Sequence, residues 1–145
     1  GGGEPSAKVD RIDFSNETTS APGYNLTESR SGLAAVSGGA SQRIKGSRTY
    51  GYFGGGSPSP DGVIDRIDFS NETTTAPNIN LTEARDYLAA CSSSSYGYFG
   101  GGFKSPPSIS GRRNTVDRID FSNETTSAPG DNLSQPRNGL AAVSN

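Results

Sequence analysis

Three stretches of the chain are nearly the same fourteen residues: VDRIDFSNETTSAP at 9–22, IDRIDFSNETTTAP at 64–77 and VDRIDFSNETTSAP at 116–129. The equivalent aspartates Asp10, Asp65 and Asp117 are separated by 55 and 52 residues. Repeats of this period are typical of propellers and solenoids, in which one unit cannot bury its apolar faces alone and must pack on its neighbours. The chain is therefore a tandem array of one short unit.

Two further segments belong to the unit. The first is NLTESRSGLAAVS at 25–37, NLTEARDYLAACS at 80–92 and NLSQPRNGLAAVS at 132–144, and the second is YGYFGGG at 50–56 and 96–102. These segments divide the chain into repeats at 1–56, 57–102 and 103–145. Because Gly1–Gly3 stands where the tail of another YGYFGGG would fall, and Asn145 stands just before a further copy is due, we expect an array that is incomplete at both ends.

The unit has the pattern of a β fold. In DRIDFS, isoleucine and phenylalanine alternate with charged residues, which is the period of a strand with one buried face. This predicts burial of six side chains at matching sites: Ile12, Ile67, Ile119, Phe14, Phe69 and Phe121. LAAV at 33–36 and YGYF at 50–53 favour two more strands, and the polar run SNETTSAPG favours a connection. Each unit thus offers about three strands.

The order YGYFGGG, DRIDFSNETT, LTxAR and GLAAV resembles the kelch motif over nearly the whole chain. The resemblance implies an all-β fold of tandem kelch-like propeller blades, three repeats forming part of a propeller or of an oligomeric ring. It places Gly54–Gly56 and Gly100–Gly102 at the double-glycine position of the motif, and Arg30, Arg85 and Arg137 before the small apolar strand. The kelch tryptophan is missing from every copy. The units also look like the YGYFGGG/DRIDFSN repeats of tailed phages, especially cyanophages, which implies a virion structural protein.

Composition narrows the classes of function. The net charge of -2 and the lack of a long apolar run argue against nucleic-acid binding and membrane insertion. The chain has no histidine and one cysteine, Cys91, at a position that sister copies fill with Val36 and Val143. A small buried hydrophobe is therefore expected there. We predict no cofactor and no metal, so that a chelator should leave the melting temperature unchanged.

Recurring carboxylates are the strongest candidates for chemistry, namely Asp10, Asp13, Glu17, Asp65, Asp68, Glu72, Asp117, Asp120 and Glu124. They could hold calcium or act as an acid and base pair. The segment DRIDFSNE lacks the alternate-position oxygens and the glycine turn of a calcium loop, which argues against a calcium site. An enzyme seldom carries three identical active sites, which argues against an acid and base pair. We therefore favour a ladder on the exposed face, in which Arg11, Arg66 and Arg118 pair with acidic neighbours, and we predict no catalytic residue.

Two other groups of residues are candidates for binding or modification. Asn-x-Ser/Thr triplets, the acceptors of N-glycosylation, begin at Asn16, Asn25, Asn71, Asn80, Asn123 and Asn132. The loops that differ most between copies carry the cations Arg43, Lys45, Arg48, Lys104, Arg112 and Arg113. Cationic loops on a rigid sheet could bind an acidic glycan or a cell-surface receptor.

The sequence favours a structural or binding repeat protein over an enzyme: a virion fibre or other extracellular scaffold that displays loops for adhesion or assembly. The alternative is a glycosylated extracellular filament or surface-coat protein, and a third hypothesis is a glycan-active enzyme. The expected partners are further repeats of the same protein or identical chains. Propellers typically use about four to eight blades, so three units should not close a ring.

Overall fold

The computed structural model describes residues 4–13, 15–37, 50–58, 62–104 and 111–144. Strands are the regular elements of these residues: β1 (Ser6–Lys8), β2 (Arg11–Asp13), β3 (Thr18–Ser20), β4 (Asn25–Arg30), β5 (Ala34–Ser37), β6 (Tyr50–Gly54), β7 (Ile64–Asp68), β8 (Thr73–Thr75), β9 (Ala89–Ser92), β10 (Tyr96–Gly100), β11 (Phe103–Lys104), β12 (Gly111–Arg112), β13 (Val116–Asp120) and β14 (Thr125–Ser127). The all-β expectation is confirmed. Nowhere in these ranges is there a helix of the length and apolarity that crossing a membrane requires.

Two four-stranded antiparallel sheets dominate the described residues. Sheet one has the order β5-β6-β7-β8, and sheet two has the order β9-β10-β13-β14. Each sheet therefore starts with the LAAV strand of one unit, continues through YGYFG, and ends with the DRID strand and a short threonine strand of the next unit. The threonine strand corrects the expectation of a bare connection after DRIDFS. Its β-branched residues suit the pleated edge of a sheet.

β2 and β3 form a two-stranded antiparallel sheet, which we call the leading hairpin. Its register, Arg11 opposite Ser20 and Asp13 opposite Thr18, is that of β7 with β8 and of β13 with β14. Within the described residues, no LAAV or YGYF strand pairs with its other edge. The LAAV copy at 140–143 is not in a strand either. The described sheets do not close into a barrel or ring.

Sheets one and two pack face to face and bury the core between them. Tyr52 of β6 stacks on Phe121, with ring centroids 5.6 Å apart and planes inclined by 12°. Phe99 of β10 packs on Gly54, where a Cβ atom would lie 2.8 Å from the phenyl ring. Since that distance is too short for a side chain, the glycine is what lets the two sheets approach. The alternating aromatic and glycine residues of YGYFG therefore serve packing between sheets.

The burial predicted for the isoleucines and phenylalanines is only partly correct. Ile67, Ile119 and Phe121 are buried, but Ile12 is 49% exposed and Phe69 is 51% exposed. Phe14 lies outside the described residues. The DRID strands have the same register in all three units, so a shift of register does not explain the exposure of Ile12 and Phe69. Ile12 and Phe69 are exposed because the described residues supply no YGYF strand beside the leading hairpin to cover them.

The two valine counterparts of Cys91 differ as well. Val36 in β5 is buried, whereas Val143 is 91% exposed, and Cys91 in β9 is a free, partly buried thiol. The burial of this position follows the presence of a neighbouring sheet. The sequence predicted a small buried hydrophobe at Cys91, and the structure shows this side chain only partly buried.

Candidate functional site: the interface between units

The turn after each DRID strand is fixed by local hydrogen bonds. In sheet one, Asp68 accepts from the backbone nitrogen of Ser70 at 2.8 Å and from its hydroxyl at 2.6 Å. Asn71 accepts in the same way from Thr73, at 3.1 and 2.7 Å. The side-chain and backbone hydrogen bonds of Ser70 hold the pKa of Asp68 below its ordinary value. The equivalent turns of the other units have the same bonds, so these carboxylates and amides hold the turn together.

The glutamate of this turn has a left-handed backbone in all three units, with φ of 56° at Glu17, 57° at Glu72 and 55° at Glu124. This conformation is unfavourable for a residue with a Cβ atom, and it persists where the surroundings require it. In two of the three units the glutamate contacts the preceding unit. Because Glu17 has the same φ without such a contact among the described residues, the left-handed backbone belongs to the turn itself.

Glu124 of sheet two binds two side chains of sheet one. Nη1 of Arg66 lies 2.9 Å from both carboxylate oxygens, and the hydroxyl of Tyr52 donates to Oε1 at 3.0 Å. The hydrogen bond to Glu124 raises the pKa of Arg66. Glu72 pairs with Arg11 of the leading hairpin in the equivalent way. Two of the three predicted arginines, Arg11 and Arg66, therefore pair with a carboxylate, and that carboxylate comes from the following unit. Arg118 instead lies over the ring of Tyr96, 4.6 Å from its centroid.

A second ion pair links the units and is buried. Nη2 of Arg85 donates to Oδ2 of Asp117 at 2.5 Å, and both side chains have no exposed surface. Nη1 of Arg85 donates to the carbonyl of Thr115 at 3.1 Å, and the backbone nitrogen of Thr82 donates to Asp117 at 3.2 Å. Burial lowers the pKa of Arg85, against the opposing effect of Asp117. The charges are therefore compensated by one another and by backbone groups.

The preceding boundary has the same arrangement. Arg30 pairs with Asp65 and donates to the carbonyl of Val63 at 2.9 Å, while the hydroxyl of Thr27 donates to Asp65 at 2.6 Å. Asp65 and Asp117 were expected on an exposed face, and this expectation is wrong because both are fully buried. The recurrence of Arg30, Arg85 and Arg137 together with the first aspartate of DRID in every unit is the signal that could have revealed the pair. Each aspartate lies on the strand face that is turned towards the preceding unit.

Hydrogen bonds to backbone carbonyls complete the interface. The hydroxyl of Thr126 donates to the carbonyl of Asn80 at 2.7 Å, and the hydroxyl of Thr74 donates to that of Asn25. Next to the buried arginine, the amide of Gly56 donates to the carbonyl of Arg85 at 2.9 Å. The amide of Gly102 donates to Arg137 at the same distance. Each unit therefore offers matched donors and acceptors to the next one.

The cationic segment between β10 and β13 is partly neutralised. Nζ of Lys104 lies 2.9 Å from Glu83, and Nε of Arg113 lies 3.1 Å from the same carboxylate. Burial raises the pKa of Glu83, but the hydrogen bonds of Lys104 and Arg113 outweigh it and bring the pKa below its ordinary value. Arg112 is exposed and donates to Asn138 at 3.1 Å. The other three predicted cations, Arg43, Lys45 and Arg48, lie outside the described residues.

The six predicted glycosylation acceptors, Asn16, Asn25, Asn71, Asn80, Asn123 and Asn132, are all exposed. Three of them hold turns through their side-chain oxygen, and Asn132 accepts from the backbone nitrogen of Val116 at 3.2 Å. Structural roles therefore account for four of these asparagines. Glycosylation stays a prediction.

The interface between units is the most developed polar site in the described part of the chain. Within those residues, no group of three or more histidine, cysteine, aspartate or glutamate side chains is placed to hold a metal ion. What the arrangement can do is recognise another copy of the same unit, since the donors of one face match the acceptors of the next. A scan against protein-family models finds no match to this chain, and a search of curated proteins finds no relative.

Proposed function

We propose that this chain is a non-enzymatic structural repeat protein whose units recognise one another. It builds a virion fibre or another extracellular scaffold that displays loops for adhesion or assembly. The observation that carries the proposal is the repetition of the contacts between units. Arg30 with Asp65 and Arg85 with Asp117 are the same buried pair at two successive boundaries.

The charged residues support this assignment through their partners. Arg66 and Glu124 form an ion pair across the boundary, as do Arg11 and Glu72. An active site needs polar groups that are held ready for a substrate, whereas these groups are occupied by the neighbouring unit. Their role is therefore to fix the distance and the orientation between sheets.

The finer architecture that we propose is a kelch-like propeller, in which sheets one and two are successive blades. Two features favour it: each sheet has four antiparallel strands in meander order, and the sheets pack face to face. The partners of such blades are further repeats of the same protein or identical chains. The exposed Arg112 at the end of β12 could contact an acidic glycan or a cell-surface receptor.

A concatenated protein with about six copies of the unit tests the proposal. Small-angle scattering and electron microscopy should show an ordered particle, a ring for the propeller or a rod for an open stack. The Asp65→Asn and Asp117→Asn substitutions, made in every copy, should disrupt it. The proposal would be contradicted if the substituted protein formed the same ordered particle, or if the intact chain hydrolysed polysaccharides.

The exposure of all six acceptor asparagines favours a glycosylated filament as the second candidate function. Expression in cells with a secretory pathway and mass spectrometry before and after enzymatic deglycosylation decide it. A mass decrease that maps to Asn16, Asn71 or Asn123 supports this candidate. A mass equal to that of the polypeptide excludes it in those cells.

A further inference from the structure

We propose that the free edge of β2 is an acceptor site for an extended strand with the sequence Tyr-Gly-Tyr-Phe-Gly, supplied by another molecule built of the same unit. This inference rests on the proposed function, because it names the partner that the unit recognises at this place. The site lies between the leading hairpin and sheet one.

The edge of β2 is the first observation. In sheets one and two the DRID strand has two neighbours, a threonine strand on one side and a YGYFG strand on the other. β2 has the threonine strand β3 in the same register, but its other edge is unpaired among the described residues. An unpaired edge presents backbone donors and acceptors in the geometry that a further strand needs.

The apolar groove beside this edge is the second observation. It is open, has a volume of about 500 Å³, and is lined by residues that include Val9, Tyr24, Phe53 and Phe69. Phe69 is 51% exposed there, whereas its counterpart Phe121 is 6% exposed. The difference is due to Tyr52 of β6, which stacks on Phe121 and has no counterpart above Phe69 in the described residues.

The boundary between sheets one and two, which we call the sister site, shows which strand would fill the groove and in which register it would pair. In sheet one Tyr50, Gly51 and Tyr52 lie opposite Asp68, Ile67 and Arg66, and sheet two has the same pairing for Tyr96, Gly97 and Tyr98. The incoming strand would therefore place its first tyrosine opposite Asp13, its glycine opposite Ile12 and its second tyrosine opposite Arg11. The glycine would cover Ile12, as Gly51 and Gly97 lie against Ile67 and Ile119.

Glu72, at the polar end of the groove, is placed to accept a hydrogen bond from the second tyrosine. At the sister site Glu124 binds both Arg66 and the hydroxyl of Tyr52. Glu72 already binds Arg11, and its side chain is still 35% exposed. Glu72 can thus accept a hydroxyl from the incoming strand, while the tyrosine ring lies on Phe69. The aromatic contact supplies affinity, and the hydroxyl selects tyrosine over phenylalanine.

Peptide binding to the intact 145-residue chain tests the site. The probe is a synthetic peptide with the sequence of 95–102, SYGYFGGG, measured by calorimetry, together with hydrogen exchange of the amides of Arg11–Asp13. We expect saturable binding and slower exchange of these amides. Changing the second tyrosine of the peptide to phenylalanine should weaken binding about fivefold, and changing it to serine should weaken it more.

Variants of the protein locate the site. Phe69→Ala should weaken binding about tenfold, and Glu72→Ala, which leaves no side-chain acceptor for the hydroxyl, should remove the preference for tyrosine over phenylalanine. Val143→Ala is the matched control, because Val143 is exposed and lies in the last repeat. Circular dichroism shows whether each variant is folded.

Three results would overturn the inference: no binding at about 1 mM peptide, equal binding of a scrambled peptide, or binding that Phe69→Ala leaves unchanged. Failure of this site is distinguishable from failure of the proposed function. The concatenated protein supplies its own YGYFG strands, so it would still assemble if the free edge accepted no peptide.

Discussion

The boundary between sheets one and two is complete, whereas the boundary between the leading hairpin and sheet one is only half built. Both have the glutamate and arginine pair and the buried aspartate and arginine pair. Among the described residues, only the complete boundary has a YGYFG strand on each side, and Phe121 is buried there whereas Phe69 is half exposed. The comparison teaches that the ion pairs set the position of a unit, while the aromatic strand supplies the apolar cover.

The largest expected effect is at the buried ion pair. Arg85→Met leaves the charge of Asp117 uncompensated in the core, and it should lower the free energy of unfolding by about 3–5 kcal/mol in urea titrations. Arg137→Met is the matched control, because Arg137 is exposed and forms no salt bridge among the described residues. It should change stability by less than about 0.5 kcal/mol.

The double variant Arg85→Met with Asp117→Leu refines this result. Replacing both charges by apolar residues removes the uncompensated charge, so most of the lost stability should return. Equal losses for Arg85→Met and Arg137→Met would show that the buried pair of Arg85 and Asp117 is no more important for stability than the exposed Arg137.

The phenylalanine of DRIDF gives the next largest contrast. Phe121→Ala should cost about 3–5 kcal/mol because the side chain is buried and stacked on Tyr52. Phe69→Ala should cost only about 1 kcal/mol, since half of its surface is already in water. The two denaturation midpoints measure the difference, and similar losses would mean that Phe69 is covered in solution.

The hydroxyl of Tyr52 tests a single hydrogen bond of the complete boundary. Tyr52→Phe removes the donor to Glu124 and should cost about 1 kcal/mol. Tyr98, at the same place in sheet two, makes no hydrogen bond through its hydroxyl in the described structure, so Tyr98→Phe should be nearly neutral. Thermal melts of the two variants at one protein concentration compare them, and a larger shift for Tyr98→Phe would reverse the assignment.

The smallest expected effect concerns Asp86, whose counterparts are Ser31 and Asn138. Asp86 is 8% exposed, and its Oδ1 has no hydrogen-bond partner in the described structure. Burial raises its pKa, so its ionised form costs stability at neutral pH. Asp86→Asn should therefore stabilise the chain by up to about 1 kcal/mol at pH 7.

The pH dependence of this gain checks its cause. A raised folded-state pKa means that the wild type gains stability as the pH falls through that value, and the gain is complete below the unfolded-state pKa near about 4. The advantage of Asp86→Asn should thus shrink between neutral pH and about pH 4 in denaturation experiments. An advantage that is independent of pH would point to a cause other than the charge.

Part of the site could be predicted from the sequence. The repeat, the DRID strand and the aromatic strand follow from periodicity and composition, and the structure has them at these positions. The exposed carboxylate ladder was a weaker inference, because the alternation of charged and apolar residues does not say which charged side chain meets a partner. Asp65 and Arg66 are neighbours on the chain, yet Asp65 is buried against the preceding unit and Arg66 contacts the following one.

What the sequence by itself determined is the repeated unit, its DRID and YGYF strands and the residues that recur in each copy, since these depend on local periodicity and on repetition. The threonine strand did not follow from the sequence. What only the tertiary structure decided is which copies of a residue are buried, because burial depends on the neighbouring layer. Ile12 and Ile119 have the same local sequence, but one is 49% exposed and the other fully buried. The free energy of an apolar side chain is set by the surface that a neighbouring strand removes from water, and that neighbour is distant in sequence.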